Sequence, residues 1–178
     1  MKAKSILFVI LIIFACCSQQ FLLGCKTAYK KIVVEQAETM GQFLLKKDYK
    51  SFFKFTHPKI AEMAGGQEKL SEAMEKGMED MDSKGMAFIN LEFGKPSKII
   101  SCLNELQCTL SETITMKVPN GVFLMKSTLI AISIDDGKNW YFFDTSKSNI
   151  KQIKELFPNL SDKIKLPKAQ NPVFIDAK

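Results

Sequence analysis

The sequence predicts an α+β domain: N-terminal helices packed on an antiparallel sheet, with a short C-terminal helical tail. Three observations carry this expectation. Apolar residues recur at helical spacing through the first half of the chain. After Gly85 the pattern changes to the two-residue alternation of strands. Turn signals, Pro119-Asn120-Gly121 above all, separate those runs and pair them as hairpins.

The elements follow in order. Tyr29, Ile32, Val33, Gln36, Ala37, Met40, Phe43 and Leu44 fall on one helical face, with Lys and Glu between them. Asp48 can cap a short helix carrying Phe52, Phe53 and Phe55. Pro58 suits the first turn of another helix through Ile60 and Met63, which Gly65-Gly66 ends. A longer helix runs from about Gln67 to Asp82, with Leu70, Met74, Met78 and Met81 on its apolar face. Strands are expected at 86–93, 98–102, 107–118, 122–134 and 140–144. In the third of these, Cys108, Leu110, Ile114, Met116 and Val118 share one face; Thr109, Ser111, Thr113, Thr115 and Lys117 share the other. A helix near 149–157 and an extended end from Pro167 complete the chain.

Residues 1–24 read as a signal peptide, excluded from the fold. Lys2 and Lys4 precede an unbroken apolar core, Ile6 to Phe14, which is short for a membrane span. "IFAC" ending at Cys16 and "LLGC" ending at Cys25 both resemble a bacterial lipobox, whose cysteine is lipidated and becomes the new N-terminus. Cys16 abuts the apolar core. Cys25 has the better local box, with Leu22 and Gly24 before it. Either implies a lipid-anchored protein of the cell envelope, outside the cytoplasm and held at a bacterial membrane. An anchor of two or three acyl chains would hold stably, where a single chain binds only marginally.

Removing the leader leaves about 155 residues, enough for one domain with its own core. The whole chain carries a net charge of +6; Lys2 and Lys4 leave with the leader, so +4 remains. All 25 basic residues are lysine. The lack of arginine argues against a nucleic-acid reader, which favours bidentate guanidinium contacts. Lysines interspersed with acids along the helices read as a solvated face.

Cys102 and Cys108 flank "LNELQ", which looks like a hairpin turn. A three-residue loop would bring them opposite each other, near enough to bridge; two half-buried thiols acting as small hydrophobes is the plainer reading. No cysteine–histidine spacing suits zinc.

Helices followed by long hairpins and the closing "DDGKNWYFFD" resemble the nuclear-transport-factor-two-like fold, also called cystatin-like. The resemblance covers residues 27–146, leaving 147–178 as a C-terminal helix and extended tail. "THPKIAEMAGG" and "FPNLSDKIKLPKAQNPVF" are similar to segments of uncharacterised secreted bacterial lipoproteins of this type. The resemblance implies a bent sheet that wraps the long N-terminal helix and leaves a conical pocket. The fold hosts isomerases, dehydratases, cyclases and binding domains, so it does not choose among them.

Glu112 is the first candidate catalytic residue. It is in phase with Leu110 and Ile114, so it faces the apolar side, where a carboxyl must be paired, protonated or open to a cavity. Such a site would raise its pKa toward acid–base use. Alternatively it reaches solvent or Lys126 beyond the core edge. His57, the single histidine, is either its pocket partner or a capping and packing residue before Pro58. Tyr29, Tyr49 and Tyr141 could each supply a hydroxyl. Met63, Met74, Met78, Met81 and Met86 have ligand types that suit Cu(I), but their helical spacing reads as core. Asp135, Asp136, Asn139 and Asp144 read as turn chemistry rather than a calcium loop. Trp140 is expected to anchor the last strand to the long helix.

The expected function is a non-catalytic binding domain for an apolar ligand or partner protein, with no cofactor and no metal. One alternative is a small acid–base enzyme of the ketosteroid-isomerase or polyketide-cyclase type, built on Glu112 and His57. The other is a structural assembly module pairing through a sheet face.

Overall fold

A computed structural model describes residues 27–146, 149–168 and 170–177. Residues 1–24, expected to be a signal peptide, lie outside them, as do the lipid-attachment candidates Cys16 and Cys25. Helix α1 occupies 27–45. After it come α2 (Tyr49–Phe52), a 3-10 turn at Phe53–Phe55, α3 (Pro58–Met63) and α4 (Gln67–Ser83). The strands are β1 (Ala87–Phe93), β2 (Ile100–Cys102), β3 (Glu105–Val118), β4 (Gly121–Ser133), β5 (Tyr141–Asp144) and β6 (Val173–Asp176), with α5 (Ile150–Leu156) between β5 and β6. The architecture is mixed α+β, with one six-stranded antiparallel sheet.

The long hairpin β3–β4 is the spine of that sheet. Its register runs unbroken from Val118↔Gly121 at the turn to Leu106↔Ser133 at the far end. Shorter strands share its two edges. β1 and β2 both pair with β3, at opposite ends. β5 pairs with β4 at Leu129–Ile132, and β6 pairs with it at Gly121–Leu124. Between those partners, residues 125–128 of β4 lie outside either ladder. The Thr128 carbonyl is met there by the Thr145 N–H at 3.1 Å and the Thr145 hydroxyl at 2.8 Å.

Alternation gives the sheet two distinct faces. On the first, Val33, Ala37 and Met40 of α1 pack against Cys108, Leu110, Leu129, Ala131, Trp140 and Phe142. That spacing of three and four residues is the amphipathic stripe read from the sequence. On the second face, Ile130 and Ile132 pack under Ile153, Phe157, Leu160 and Ile164 of the C-terminal segment. The tail is therefore part of the same folded unit: it supplies four of the six buried residues of the second core, and the sixth strand. Gln107, fully buried, ties it down. Its amide donates to the Asn159 carbonyl at 2.9 Å, and its Oε1 accepts from the Ser161 N–H at 2.9 Å. A third cluster joins Leu44, Tyr49, Phe53 and Met78 at the α2–α4 end.

The caps follow local chemistry. Asp48 accepts from the Ser51 N–H at 3.0 Å at the start of α2. Asn149 and Gln152 form a reciprocal capping box on α5. The β4–β5 turn is closed by Asp135, which accepts from the Ser133 hydroxyl, the Asn139 N–H and the Asn139 amide. This is the turn role read from the sequence, and Asp144 takes no part in it; its carboxylate accepts from Ser146.

Gly137 sits in that turn at φ +83°, and a Cβ there would lie 2.4 Å from the Tyr29 ring of α1. Both the backbone and the space require glycine. Gly137→Ala is expected to destabilise the domain by about 1–3 kcal/mol, read as a lower urea midpoint at an unchanged slope.

Candidate functional site

Glu112 lies on the first face, in phase with Leu110. It is 5% exposed. Its cross-strand neighbours are Phe93 on β1 and Ser127 on β4. The Phe93 ring lies against α1, where a Cβ on Gly41 would come within 2.9 Å of it. The Ser127 hydroxyl donates to Glu112 Oε2 at 2.8 Å. Burial pushes the carboxyl up to about 7, against the lowering effect of that hydrogen bond; the Asp144 charge adds a further rise. At neutral pH the group is thus divided between acid and carboxylate. Ser127 was absent from the sequence reading but was accessible to it. Once Val118 and Gly121 pair across the Pro119-Asn120 turn, counting back along both strands sets Ser127 opposite Glu112.

His57 is elsewhere. It is the N-cap of α3, where Nδ1 accepts from the Lys59 N–H at 3.2 Å. Its ring meets Phe157 edge-on at 4.9 Å between centroids and Tyr141 at 5.8 Å. Phe157 belongs to the second core, and Tyr141 pairs with Ile132 of that core. The sheet therefore separates His57 from Glu112. Burial lowers the His57 pKa, with Glu105 opposing and Lys59 assisting, so the ring is held toward the neutral form.

The tyrosines also miss the carboxyl. Tyr29 packs against Gly137, and Tyr141 beside His57. Tyr49 is buried in the third cluster, its hydroxyl without a partner among the described residues. Met74, Met78 and Met81 pack in that same cluster, whereas Met63 is 68% exposed. Among the described residues, no group of three or more His, Cys, Asp or Glu could hold a metal.

Of the two cysteine readings, the register does not set Cys102 opposite Cys108. Both thiols are free. The β2–β3 hairpin closes through two residues, Leu103 and Asn104, at φ 46° and 65°, rather than through a three-residue loop. Cys102 consequently faces Glu105, and Cys108 lies further along β3, opposite Ala131. Burial pushes the Cys108 thiol up to about 12, so it is an inert core group.

An open cleft lies on the second face. One part, of about 870 Å³, lies over Ser111, Thr113, Lys126 and Thr128, beside the uncovered stretch of β4. Its walls are Thr145, Ser146, Asn149 and Ile150 on one side and Ile164, Lys165, Leu166, Pro167, Lys168 and Gln170 on the other. The adjoining part, of about 410 Å³, lies over Ser97 to Ser101 and Thr109. Ile164 and Lys165 form the wall common to both. Glu112 and Ser127 border the larger part too, but strand alternation places their side chains on the helix face. The sequence reading expected an apolar pocket; this lining combines aliphatic residues with hydroxyls and lysines. The strand face read as merely polar, Thr109-Ser111-Thr113, is its floor.

No helix among the described residues is long and apolar enough to cross a membrane. No known protein-family profile matches the chain, and a search of curated proteins returns no match.

Proposed function

We propose that the chain is a lipid-anchored cell-envelope protein whose nuclear-transport-factor-two-like domain binds its ligand or partner protein without transforming it. The carrying observation is the separation of the two acid–base candidates. Glu112 is enclosed on the helix face with Ser127, while His57 caps α3 on the other side of the sheet. Acid–base catalysis needs its groups converging on one substrate atom, and the open cleft receives neither side chain. A long helix lying on an antiparallel sheet supports the nuclear-transport-factor-two-like reading of the fold. The leader and its two lipobox-like cysteines support the anchor.

The experiment is acyl labelling during expression with radiolabelled palmitate. The wild type takes up label, and either Cys25→Ser or Cys16→Ser abolishes it. A wild-type chain that reaches the envelope without label contradicts the anchor.

One observation favours the second reading, a small acid–base enzyme: the Glu112 carboxyl titrates near neutrality. In that case Glu112→Gln removes turnover. On the binding reading the same variant retains ligand undiminished.

A further inference from the structure

We infer that the cleft on the second face is a binding site for an acidic polysaccharide, a sugar chain bearing carboxylate, sulfate or phosphate groups. The inference rests on the binding reading above and gives that ligand a chemical class.

Charge is the first argument. Lys98, Lys126, Lys163, Lys165 and Lys168 all border the cleft, and all are exposed. None belongs to an ion pair among the described residues, where the paired lysines are Lys31, Lys47, Lys84 and Lys154. The one acid bordering the cleft, Glu112, turns its carboxyl to the opposite face. Five cations thus border a concavity into which, among the described residues, strand alternation directs no carboxylate, and such a concavity concentrates anions.

The floor narrows the class. Threonine and serine hydroxyls both donate and accept, as sugar hydroxyls do. Among the described residues no aromatic ring borders either part of the cleft, so they offer no platform for stacking nucleic-acid bases. The cations are lysines, point charges without the bidentate fork that reads bases. An acidic peptide would be held best by strand addition. The uncovered edge of β4 is only four residues long, and Thr145 already takes its Thr128 carbonyl. The ladder left for a peptide is very short. A chain of acidic sugars uses both the lysine rim and the hydroxyl floor.

The test is fluorescence-anisotropy binding to the full chain in detergent. The probes are a heparin octasaccharide, an oligogalacturonate of equal length, a neutral dextran oligomer and polyglutamate. The heparin and oligogalacturonate arms separate sulfate from carboxylate as the preferred charge. At least one of them is expected to bind, with affinity falling as salt rises, and dextran is not. Lys126→Glu with Lys165→Glu should weaken binding at least tenfold. The milder pair Lys126→Gln with Lys165→Gln should give an intermediate loss, which guards against misfolding of the reversed variant. A control reversal outside the cleft, Lys46→Glu with Lys76→Glu, should stay within twofold.

Three outcomes overturn the inference: failure of both acidic sugars, equal loss in the control variant, or tighter binding of polyglutamate than of either sugar. Acyl labelling and sugar binding fail independently. Unlabelled protein that binds acidic sugar refutes the anchor alone; labelled protein that binds neither refutes the ligand class alone.

Discussion

Glu112→Gln gains stability over the wild type as pH rises from 4.5 to 8. Glutamine reproduces the shape of the protonated acid and removes its ionisation. In the wild type the carboxyl titrates near 4.5 when unfolded and at about 7 when folded. The raised folded pKa means that the native state holds the proton more tightly. Its contribution is complete below pH 4.5 and is lost as pH rises toward and through 7. At 1.36 kcal/mol per pH unit over that window, the loss is about 3 kcal/mol. The variants should match at pH 4.5 and diverge by that amount at pH 8, in urea unfolding followed by circular dichroism. His57 acts in the opposite direction. Its folded pKa is lowered, so its contribution is present above the unfolded value and is lost on acidification. Both proteins keep His57, so the difference between them isolates Glu112. A constant difference across the range would mean that the carboxyl is not held in a closed apolar site.

Trp140→Ala is expected to be severely destabilising. The indole is 1% exposed within the first core, beside Val33 and Ala37 of α1. Its Nε1–H donates to the Gly137 carbonyl at 3.1 Å, and its backbone N–H donates to Gln36 Oε1 at 2.8 Å. Gln36 in turn donates to the Lys138 carbonyl at 2.8 Å, so α1, the β4–β5 turn and β5 meet at this residue. Removing the ring leaves a cavity that packed neighbours cannot close, and the expected loss is about 3–5 kcal/mol. For a domain of this size that lowers Tm by roughly 10 °C. Trp140→Phe keeps most of the volume and should lose less than half as much. If Trp140→Ala unfolded at the wild-type temperature, the packing of α1 on the sheet described above would be incorrect.

Periodicity made much of this fold legible. The stripe Val33-Ala37-Met40-Leu44 needs only the 3.6-residue repeat, and the β3–β4 hairpin needs only alternation and Pro119-Asn120-Gly121. The phase of Glu112 was visible for the same reason. Features set by distant pairing were not. Val173, Phe174 and Ile175 are all exposed, so β6 has no buried face to create alternation; its partner on β4 is some fifty residues earlier. Leu103 gives no warning that it occupies a left-handed turn, which is why the β2–β3 loop looked longer than it is. The cleft exists because β5 and β6 leave part of β4 uncovered and the tail crosses beside it. Its five lysines are scattered from 98 to 168 and look, in sequence, like any solvated charge.

The central claim is that this chain is tethered at the envelope and binds without chemistry. Native mass spectrometry of the protein extracted from its membrane tests it most directly. The expected result is one species beginning at Cys25 or Cys16, heavier by two or three acyl chains, with a non-covalent ligand that leaves intact on activation. A soluble, unlipidated chain carrying no ligand, or a ligand released as a chemically altered product, would contradict it.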